Sequence, residues 1–326
     1  MAHKEIKIES KKILSKFFQF NRSIKNYILR TKKVERELLT SLLESTKISE
    51  DEINFAEENC KRDGCYSIIG LSENTVFKLI SGRRYENKFV LLNKKELEQI
   101  KEDYYTFYKY LKKSQFTIPK SIATYTIELD IENGRRHLFL EHQERFAEDN
   151  LLNLYNNKAI GEKQLIKEFR TILKKLPSIF PYIGKDIGFD VVIPNFLPNG
   201  KFIDLLPPKV TDGYEHKLLK KTYYSEYSRI KVDRMFNPIG VIAHLIASFS
   251  VTTPDLIEDY TKEALTTFHK TEYYNKLRDF LLTERFRLYL HYATYYFRNL
   301  ARPTLSEDEI TGLAEKIHKF INKLDD

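Results

Sequence analysis

The sequence contains no tryptophan and only two cysteines, Cys60 and Cys65, among its 326 residues. Two thiols cannot complete a structural zinc site, which takes four ligands, and no suitably spaced Cys or His pair accompanies them. We therefore expect free or buried thiols rather than a metal site. The lack of tryptophan comes with abundant Lys, Ile, Asn and Tyr. An AT-rich genome would produce the same bias, so it indicates no function.

Long apolar runs are also absent. No stretch is apolar over enough residues to cross a bilayer. The N-terminal segment is charged and lacks the apolar core of a signal peptide, so we expect a cytoplasmic protein without a membrane partner. The eight histidines form neither an HExxH motif nor a paired spacing of metal ligands. Structural or surface roles are therefore expected for them.

Positive charge, in contrast, is in excess. The 54 basic and 46 acidic residues give a formal net charge of +8. Such an excess favours anionic partners, which include nucleotides, phosphorylated metabolites and nucleic acid, without choosing among them. With 42% apolar and 31% charged residues, the composition is that of a globular protein with one large or two moderate domains.

The hydrophobic pattern divides the chain into three predicted parts. Residues 1–62 form a predicted helical extension, in which leucines lie at helical spacing. Residues 63–143 form a β-rich part, with short strands around one helix at 96–113. Residues 144–326 are mostly helical apart from one hairpin. This order predicts an α+β fold, with a small, mostly antiparallel sheet and a larger helical part. The predicted strands of the β-rich part are 65–70, 75–80, 88–92, 118–129 and 136–141.

One stretch of the helical part carries groups typical of phosphoryl transfer. Asp190 closes a Gly-Phe-Asp triplet, and Asn195 stands five positions later. Asn199-Gly200 predicts a tight hairpin turn, and Asp204 lies in the second, apolar strand of that hairpin. An Asp, an Asn and a second Asp in this order can serve an acceptor hydroxyl and a nucleotide-bound metal.

This stretch resembles the catalytic loop and metal-binding strand of the protein-kinase-like superfamily. In style it is closest to the small-molecule branch of aminoglycoside and choline-type phosphotransferases. The resemblance implies a two-lobed fold that uses ATP and Mg²⁺. It implies that Asp190 accepts or orients the proton of a hydroxyl on a small-molecule acceptor. Asn195 and Asp204 would bind the Mg²⁺ that bridges the ATP phosphates.

The same resemblance assigns roles in the β-rich part. The segment Val-Phe-Lys78 looks like the Val-Ala-Ile-Lys strand of the family, so Lys78 would contact the α- and β-phosphates, with Lys88 as the alternative. The helix carboxylate that pairs with this lysine would be Glu102, or Glu98 one turn earlier on the same face. Gly70–Asn74 would be the turn that cradles the phosphates.

Four features depart from the family pattern. Gly188 replaces the loop histidine, and Leu205-Leu206 replaces the usual Phe-Gly pair. The hairpin is short, and the phosphate turn contains a single glycine. These departures leave open a pseudokinase-like nucleotide-binding or regulatory module without catalysis.

Basic segments at 217–234 and 285–298 leave open a second alternative, a nucleic-acid-binding protein. On a helix, Phe286, Leu290, Ala293 and Phe297 of the second segment would instead share one buried face. The segment after Asp204 contains no Ala-Pro-Glu signature, which favours a small-molecule acceptor over a protein. The positive charge indicates that this acceptor is anionic. The sequence does not indicate an oligomeric state.

Overall fold

The computed structural model describes residues 2–7, 10–23, 25–30, 35–45, 67–80, 84–85, 88–131, 134–207, 226–297 and 305–325. The chain divides into two compact units. Residues 1–103 and 119–147 form the first, which we call the sheet unit, and residues 104–118 and 148–326 form the second, the helical unit. Within the described ranges, no helix combines the length and apolar character that crossing a membrane requires.

The sheet unit is built on a five-stranded sheet. The described residues up to 144 form, in chain order, β1 (Ala2–Lys7), α1 (Ser10–Phe17), β2 (Phe18–Asn21), β3 (Asn26–Leu29), α2 (Glu35–Ser45), β4 (Ser67–Leu71), β5 (Thr75–Ile80), β6 (Arg84–Tyr85), β7 (Lys88–Phe89), α3 (Lys94–Lys113), β8 (Ser121–Ile131) and β9 (Gly134–Glu144). The strand order of the sheet is β1-β8-β9-β5-β4. Strand β1 runs parallel to β8, and the other neighbours are antiparallel.

Successive side chains of a strand point to opposite sides of the sheet, so alternate residues share a face. One face of this sheet is apolar. Phe77 of β5, Tyr125 of β8 and Leu140 of β9 belong to the core on that face. Helices α1 and α2 contribute Ile13, Phe17 and the predicted leucine stripe to the same core. The leucines of the stripe are all fully buried: Leu38, Leu39, Leu42 and Leu43.

The opposite face carries buried polar side chains, which are rarer in a core and more informative. Lys78 of β5 lies opposite Glu141 of β9, and Glu141 lies opposite Thr124 of β8. Lys78 is 6% exposed, and the other two are fully buried. His3 of β1 continues the row, with its Nδ1 3.0 Å from Oγ1 of Thr124. Residues that are opposite each other across strands share a face, so these side chains form one polar row.

The N-terminal segment differs from the predicted helical extension. Its described residues contain helices α1 and α2, but also strand β1 and the antiparallel hairpin of β2 and β3. The leucine stripe correctly located α2. Strand β1 forms because it pairs with β8, more than a hundred residues away, and short segments follow such tertiary pairing rather than their own propensity. Cys60 and Cys65 lie outside the described residues.

The helical unit surrounds one buried helix. After α3 it contains α4 (Leu151–Asn156), α5 (Glu162–Lys175), a hairpin of β10 (Phe196–Leu197) and β11 (Lys201–Phe202), α6 (Glu226–Phe236), α7 (Pro238–Thr252), α8 (Ile257–Phe268), α9 (Tyr273–Leu281), α10 (Glu284–Phe297) and α11 (Glu307–Asp325). Every residue of α7 from Gly240 to Thr252 is buried, as expected of a helix that is apolar all round. Helices α6, α8, α9 and α10 pack against it.

The predicted α+β class is confirmed. A hairpin, a helix and two long strands are followed by helices with one inserted hairpin, which is the order predicted from the hydrophobic pattern. The predicted helix 96–113 is α3, the predicted strand 118–129 is β8, which begins and ends later than predicted, and the predicted strand 136–141 is the longer β9. The segment 88–92 is less regular than predicted, because after β7 it forms only isolated bridges at Val90 and Leu92.

Candidate functional site

The predicted hairpin of the helical unit is confirmed. Phe196 pairs with Phe202 and Leu197 pairs with Lys201. The loop between the two strands contains Asn199 at φ 63° and Gly200 at φ 60°. Asn and Gly are the residues that adopt positive φ at least cost, so the dipeptide specifies this tight turn.

Helix α5 anchors the hairpin loop through two charged side chains. Oε2 of Glu168 accepts a hydrogen bond from the backbone N–H of Asn199 at 2.6 Å. Nζ of Lys175 donates to the carbonyl oxygens of Asn199 and Gly200 at 2.6 and 3.1 Å. Burial lowers the pKa of Lys175, and the charge of Glu168 opposes that shift. The helix therefore binds both the donor and the acceptor groups of the loop.

Asn195 connects the backbone segments that carry the other two residues of the motif, Asp190 and Asp204. Its Nδ2 donates to the backbone carbonyl oxygen of Asp190 at 3.1 Å. Its own carbonyl oxygen accepts from the N–H of Ile203 at 3.0 Å, and Asp204 is the next residue. Oδ1 of Asp204 accepts from the N–H of Leu206 at 3.2 Å. The structure thus brings Asp190, Asn195 and Asp204 into one short, hydrogen-bonded piece of backbone.

The side chain of Asp190 is held by a residue that the sequence did not indicate. Nη1 of Arg234, in the last turn of α6, lies 2.5 Å from Oδ1 of Asp190. The same Nη1 lies 3.0 Å from Nε2 of His244, and the guanidinium lies over the ring of Tyr292 at 4.6 Å. The side chain of Arg234 is 6% exposed and that of Asp190 is 19% exposed.

His244 is a neutral acceptor in this cluster. Burial, and then the charge of Arg234, hold the pKa of its imidazole well below the ordinary value. Nε2 of His244 also lies 3.8 Å from Oδ1 of Asp190, but a neutral imidazole forms no ion pair there. A signal in the sequence could have found this residue, because His244 is the one ionisable side chain in the apolar helix Pro238–Thr252.

Gly188 has a packing reason that the motif did not reveal. A Cβ at this position would lie 2.6 Å from a ring carbon of Phe236. The N–H of Phe189 donates to the carbonyl oxygen of Met235 at 2.8 Å. Three consecutive residues of α6, Arg234 to Phe236, therefore contact three consecutive residues of the loop, Gly188 to Asp190.

The predicted phosphate lysine, Lys78, belongs to the sheet unit and is buried. The predicted helix partner Glu102 is exposed on α3, and Glu98 is also exposed, with its Oε1 3.5 Å from Nζ of Lys101. The carboxylate in register with Lys78 is Glu141. The alternative lysine, Lys88, pairs through its backbone with Tyr85.

The predicted phosphate-cradling turn is the connection between β4 and β5. Oγ of Ser72 accepts from the N–H of Thr75 at 2.9 Å, and the N–H of Ser72 donates to the carbonyl oxygen of Thr75. Nη1 of Arg145 donates to the carbonyl oxygen of Ser72 at 2.7 Å. Two N–H groups of this region are therefore used within the turn itself.

The aromatic and basic segment of α10 shows the apolar face expected of a helix in a core. Phe286, Leu290 and Ala293 are fully buried. The other basic segment, 217–234, lies outside the described residues up to position 225. The described side chains of α10, which end at Thr294, therefore favour a packing role over the nucleic-acid alternative.

Asn195 and Asp204 are the residues that could hold Mg²⁺. Across the described ranges, no cluster of three or more His, Cys, Asp or Glu side chains is placed to bind a metal ion. Mg²⁺ needs no such cluster, because it usually takes one or two carboxylate ligands and completes its shell with water and phosphate oxygens. An amide oxygen and a carboxylate on one piece of backbone fit this requirement.

Comparisons with known proteins add little to the geometry. No model of a known protein family matches the chain, and no curated protein matches it. Among solved structures, the chain is similar to the MAP kinase LmaMPK10 from Leishmania major. The identity is 11% and the TM-score 0.36, over 90% of this chain and 100% of that chain. The residues of the chain itself must therefore carry any functional assignment.

Proposed function

We propose that this protein is an ATP-dependent phosphotransferase that transfers the γ-phosphoryl group to a hydroxyl of a small molecule. The observation that carries the proposal is the position of Asn195. Its side-chain Nδ2 donates to the backbone carbonyl oxygen of Asp190. Its backbone carbonyl oxygen accepts from the N–H of Ile203, the residue before Asp204. An Asp, an Asn and a second Asp in this order are the groups that kinase-like phosphoryl transfer uses.

Each residue of the motif has a separate task in this proposal. Asn195 has its Nδ2 engaged by Asp190, so Oδ1 is the atom that would bind Mg²⁺, together with the carboxylate of Asp204. When bound, Mg²⁺ neutralises negative charge on the phosphate oxygens. Lys78 of the sheet unit is proposed to contact the α- and β-phosphates.

Asp190 would orient the acceptor hydroxyl and take its proton. The hydroxyl oxygen forms a bond to the γ-phosphorus while the bond from that phosphorus to the β-γ bridging oxygen breaks, and ADP leaves. The net charge of +8 favours an anionic acceptor. A protein located in the cytoplasm would have ATP and Mg²⁺ available for this reaction.

A nucleotide-binding module without catalysis is the second candidate, and Gly188 favours it, because the histidine expected in the catalytic loop is missing there. In such a module Asn195 and Asp204 would still bind Mg-ATP. Release of ADP would then be no faster than in the variant Asp190→Asn.

Isothermal titration calorimetry of Mg-ATP into the purified protein tests the proposal. The variant Asp204→Asn removes one charge from the site, and Asp255→Asn is its matched control. Asp255 is 94% exposed and 3.9 Å from Lys316, so its loss should leave binding unchanged. We expect Mg²⁺-dependent binding that Asp204→Asn weakens about tenfold or more.

Two results would contradict the proposal. One is an absence of binding heat in the unmodified protein. The other is an equal affinity of Asp204→Asn and Asp255→Asn for Mg-ATP, together with equal melting temperatures of the two variants. The melting temperatures would have to agree both in the presence and in the absence of Mg-ATP. Release of ADP above the level of Asp190→Asn then separates the phosphotransferase from the binding module.

A further inference from the structure

Arg234 is a buried cation beside the residue that is proposed to take a proton. It is 5% exposed, and its Nη1 lies 2.5 Å from Oδ1 of Asp190. Arginine is rarely buried to this extent unless partners satisfy its charge and its donors. The contacts of the guanidinium therefore show what it is arranged to do.

Three groups fix the position of this guanidinium. Asp190 supplies the negative charge, and Nε2 of His244 accepts from the same Nη1 at 3.0 Å. The ring of Tyr292 lies 4.6 Å from the guanidinium carbon, at a distance typical of a cation–π contact. His244 is fully buried in α7, so its own position is set by the core of the unit. Arg234 is thus held by two contacts at Nη1 and by one aromatic ring against its guanidinium.

The carboxylate of Asp190 is in turn held asymmetrically. Nη1 of Arg234 contacts Oδ1, and Nε2 of His244 lies 3.8 Å from the same oxygen without binding it. The backbone of the same loop is fixed at Phe189 by Met235 and at the Asp190 carbonyl by Asn195. The side chain keeps 19% exposure, so Oδ2 is the oxygen that can reach a bound hydroxyl.

We propose that Arg234 is the positioning residue of Asp190. It anchors Oδ1 and directs Oδ2 toward the acceptor, and His244 holds Arg234 in place by accepting from the same Nη1. This inference rests on the proposed phosphotransferase function. It assigns to Arg234 a role in turnover, because its guanidinium contacts Asp190, the residue that is proposed to take the proton of the acceptor.

Variants of Arg234 separate this role from a structural one. Arg234→Met removes the charge at similar length, and Arg234→Lys keeps the charge but loses the planar fork. Arg285→Met is the matched control. Arg285 of α10 contacts Asp233, the neighbour of Arg234 on α6, and does not touch Asp190. The measurements are the dissociation constant for Mg-ATP and the rate of ADP release with water as acceptor.

We expect Arg234→Met to lower the rate of ADP release about 100-fold, as expected when a general base loses its position. Its dissociation constant for Mg-ATP should stay within about threefold of the unmodified protein. Arg234→Lys should recover part of the rate. In the background of Asp190→Asn, the change Arg234→Met should have no further effect on turnover, because Arg234 acts through Asp190.

Other outcomes overturn the inference. If Arg234→Met and Arg285→Met lower binding and turnover equally, Arg234 only supports the fold. If Arg234→Met turns over as fast as the unmodified protein, or faster, Arg234 does not position Asp190. If the unmodified protein binds Mg-ATP but releases no more ADP than Asp190→Asn, Asp190 has no role for Arg234 to support. An unmodified protein that does not bind Mg-ATP instead removes the proposed function, and the positioning role falls with it.

Discussion

The ring of Phe236 occupies the space in which a side chain at position 188 would lie. A Cβ on Gly188 would meet three atoms of that ring, at 2.6, 2.7 and 3.0 Å. Gly188 therefore allows a direct contact between the loop backbone and the end of α6. Arg234, two residues before Phe236, contacts Asp190 from the same end of that helix.

Substitution at Gly188 tests this contact. Gly188→Ala should lower the free energy of unfolding by about 1–3 kcal/mol, because the added methyl group overpacks against the ring of Phe236. Urea unfolding measures the change. The smaller side chain of Phe236→Leu should make Gly188→Ala less costly in the double variant.

Gly312→Ala is the control for this prediction. Gly312 lies inside α11, and a Cβ there meets no atom within 4 Å. Replacing an unhindered glycine in a helix should stabilise the protein by about 0.5–1 kcal/mol. Equal effects of the two glycine substitutions would mean that Phe236 does not constrain position 188.

At the scale of elements, α5 and the hairpin act as one piece. Glu168 is 2% exposed and accepts from the backbone N–H of Asn199 and from Nε2 of Gln164, at 2.6 and 2.7 Å. Lys175 binds the carbonyl groups of the same loop. The hairpin has only two residues in each strand, so these side chains supply contacts that a longer ladder would otherwise provide. The position of Asp204 therefore depends on α5.

Removal of Glu168 should disturb both stability and the proposed metal ligand. Glu168→Ala leaves the backbone donor of Asn199 without its acceptor in a partly buried place, which should cost about 1–3 kcal/mol in the free energy of unfolding. The control Glu272→Ala breaks an exposed pair with Lys276, 3.2 Å apart, and should change stability by less than about 1 kcal/mol. Chemical denaturation of both variants measures the difference, and equal small changes would show that α5 does not hold the loop.

Local signals predicted the elements that local chemistry determines. Asn199-Gly200 predicted the hairpin because its positive φ angles require such residues. The leucine stripe predicted α2 because its period is helical. The sequence pattern did not predict strand β1, because its partner, β8, is distant in sequence. The contact of Arg234 with Asp190 spans 44 positions and carries no local pattern either.

At the scale of the whole molecule, buried histidines should make stability fall in acid. Burial is the main cause that lowers the pKa of His137 and His142 in the sheet unit and of His244 in the helical unit. In the unfolded chain each imidazole takes up a proton near pH 6.5. Below that pH the unfolded state binds more protons than the folded state, so the free energy of unfolding decreases as the pH falls.

His142 of β9 is the histidine whose contribution to this loss of stability can be given a size. Burial, aided by the charge of Lys4, lowers the pKa of His142 to about 4, and its ring stacks on Phe77 at 4.2 Å. Between about pH 6.5 and pH 4, His142 should contribute about 1.4 kcal/mol of lost stability per pH unit. His142→Phe keeps an aromatic ring for the stack but cannot titrate. Its free energy of unfolding, measured by urea denaturation across that range, should fall less steeply by that amount.

Phe77→Leu controls for the loss of packing. It weakens the stack but leaves the imidazole in place, so it should lower stability at every pH while keeping the original slope. If His142→Phe and the unmodified protein lose stability at the same rate between pH 6.5 and pH 4, the pKa of His142 is not lowered in the folded state. That result would locate the acid sensitivity of the chain in the other buried histidines, His137 and His244.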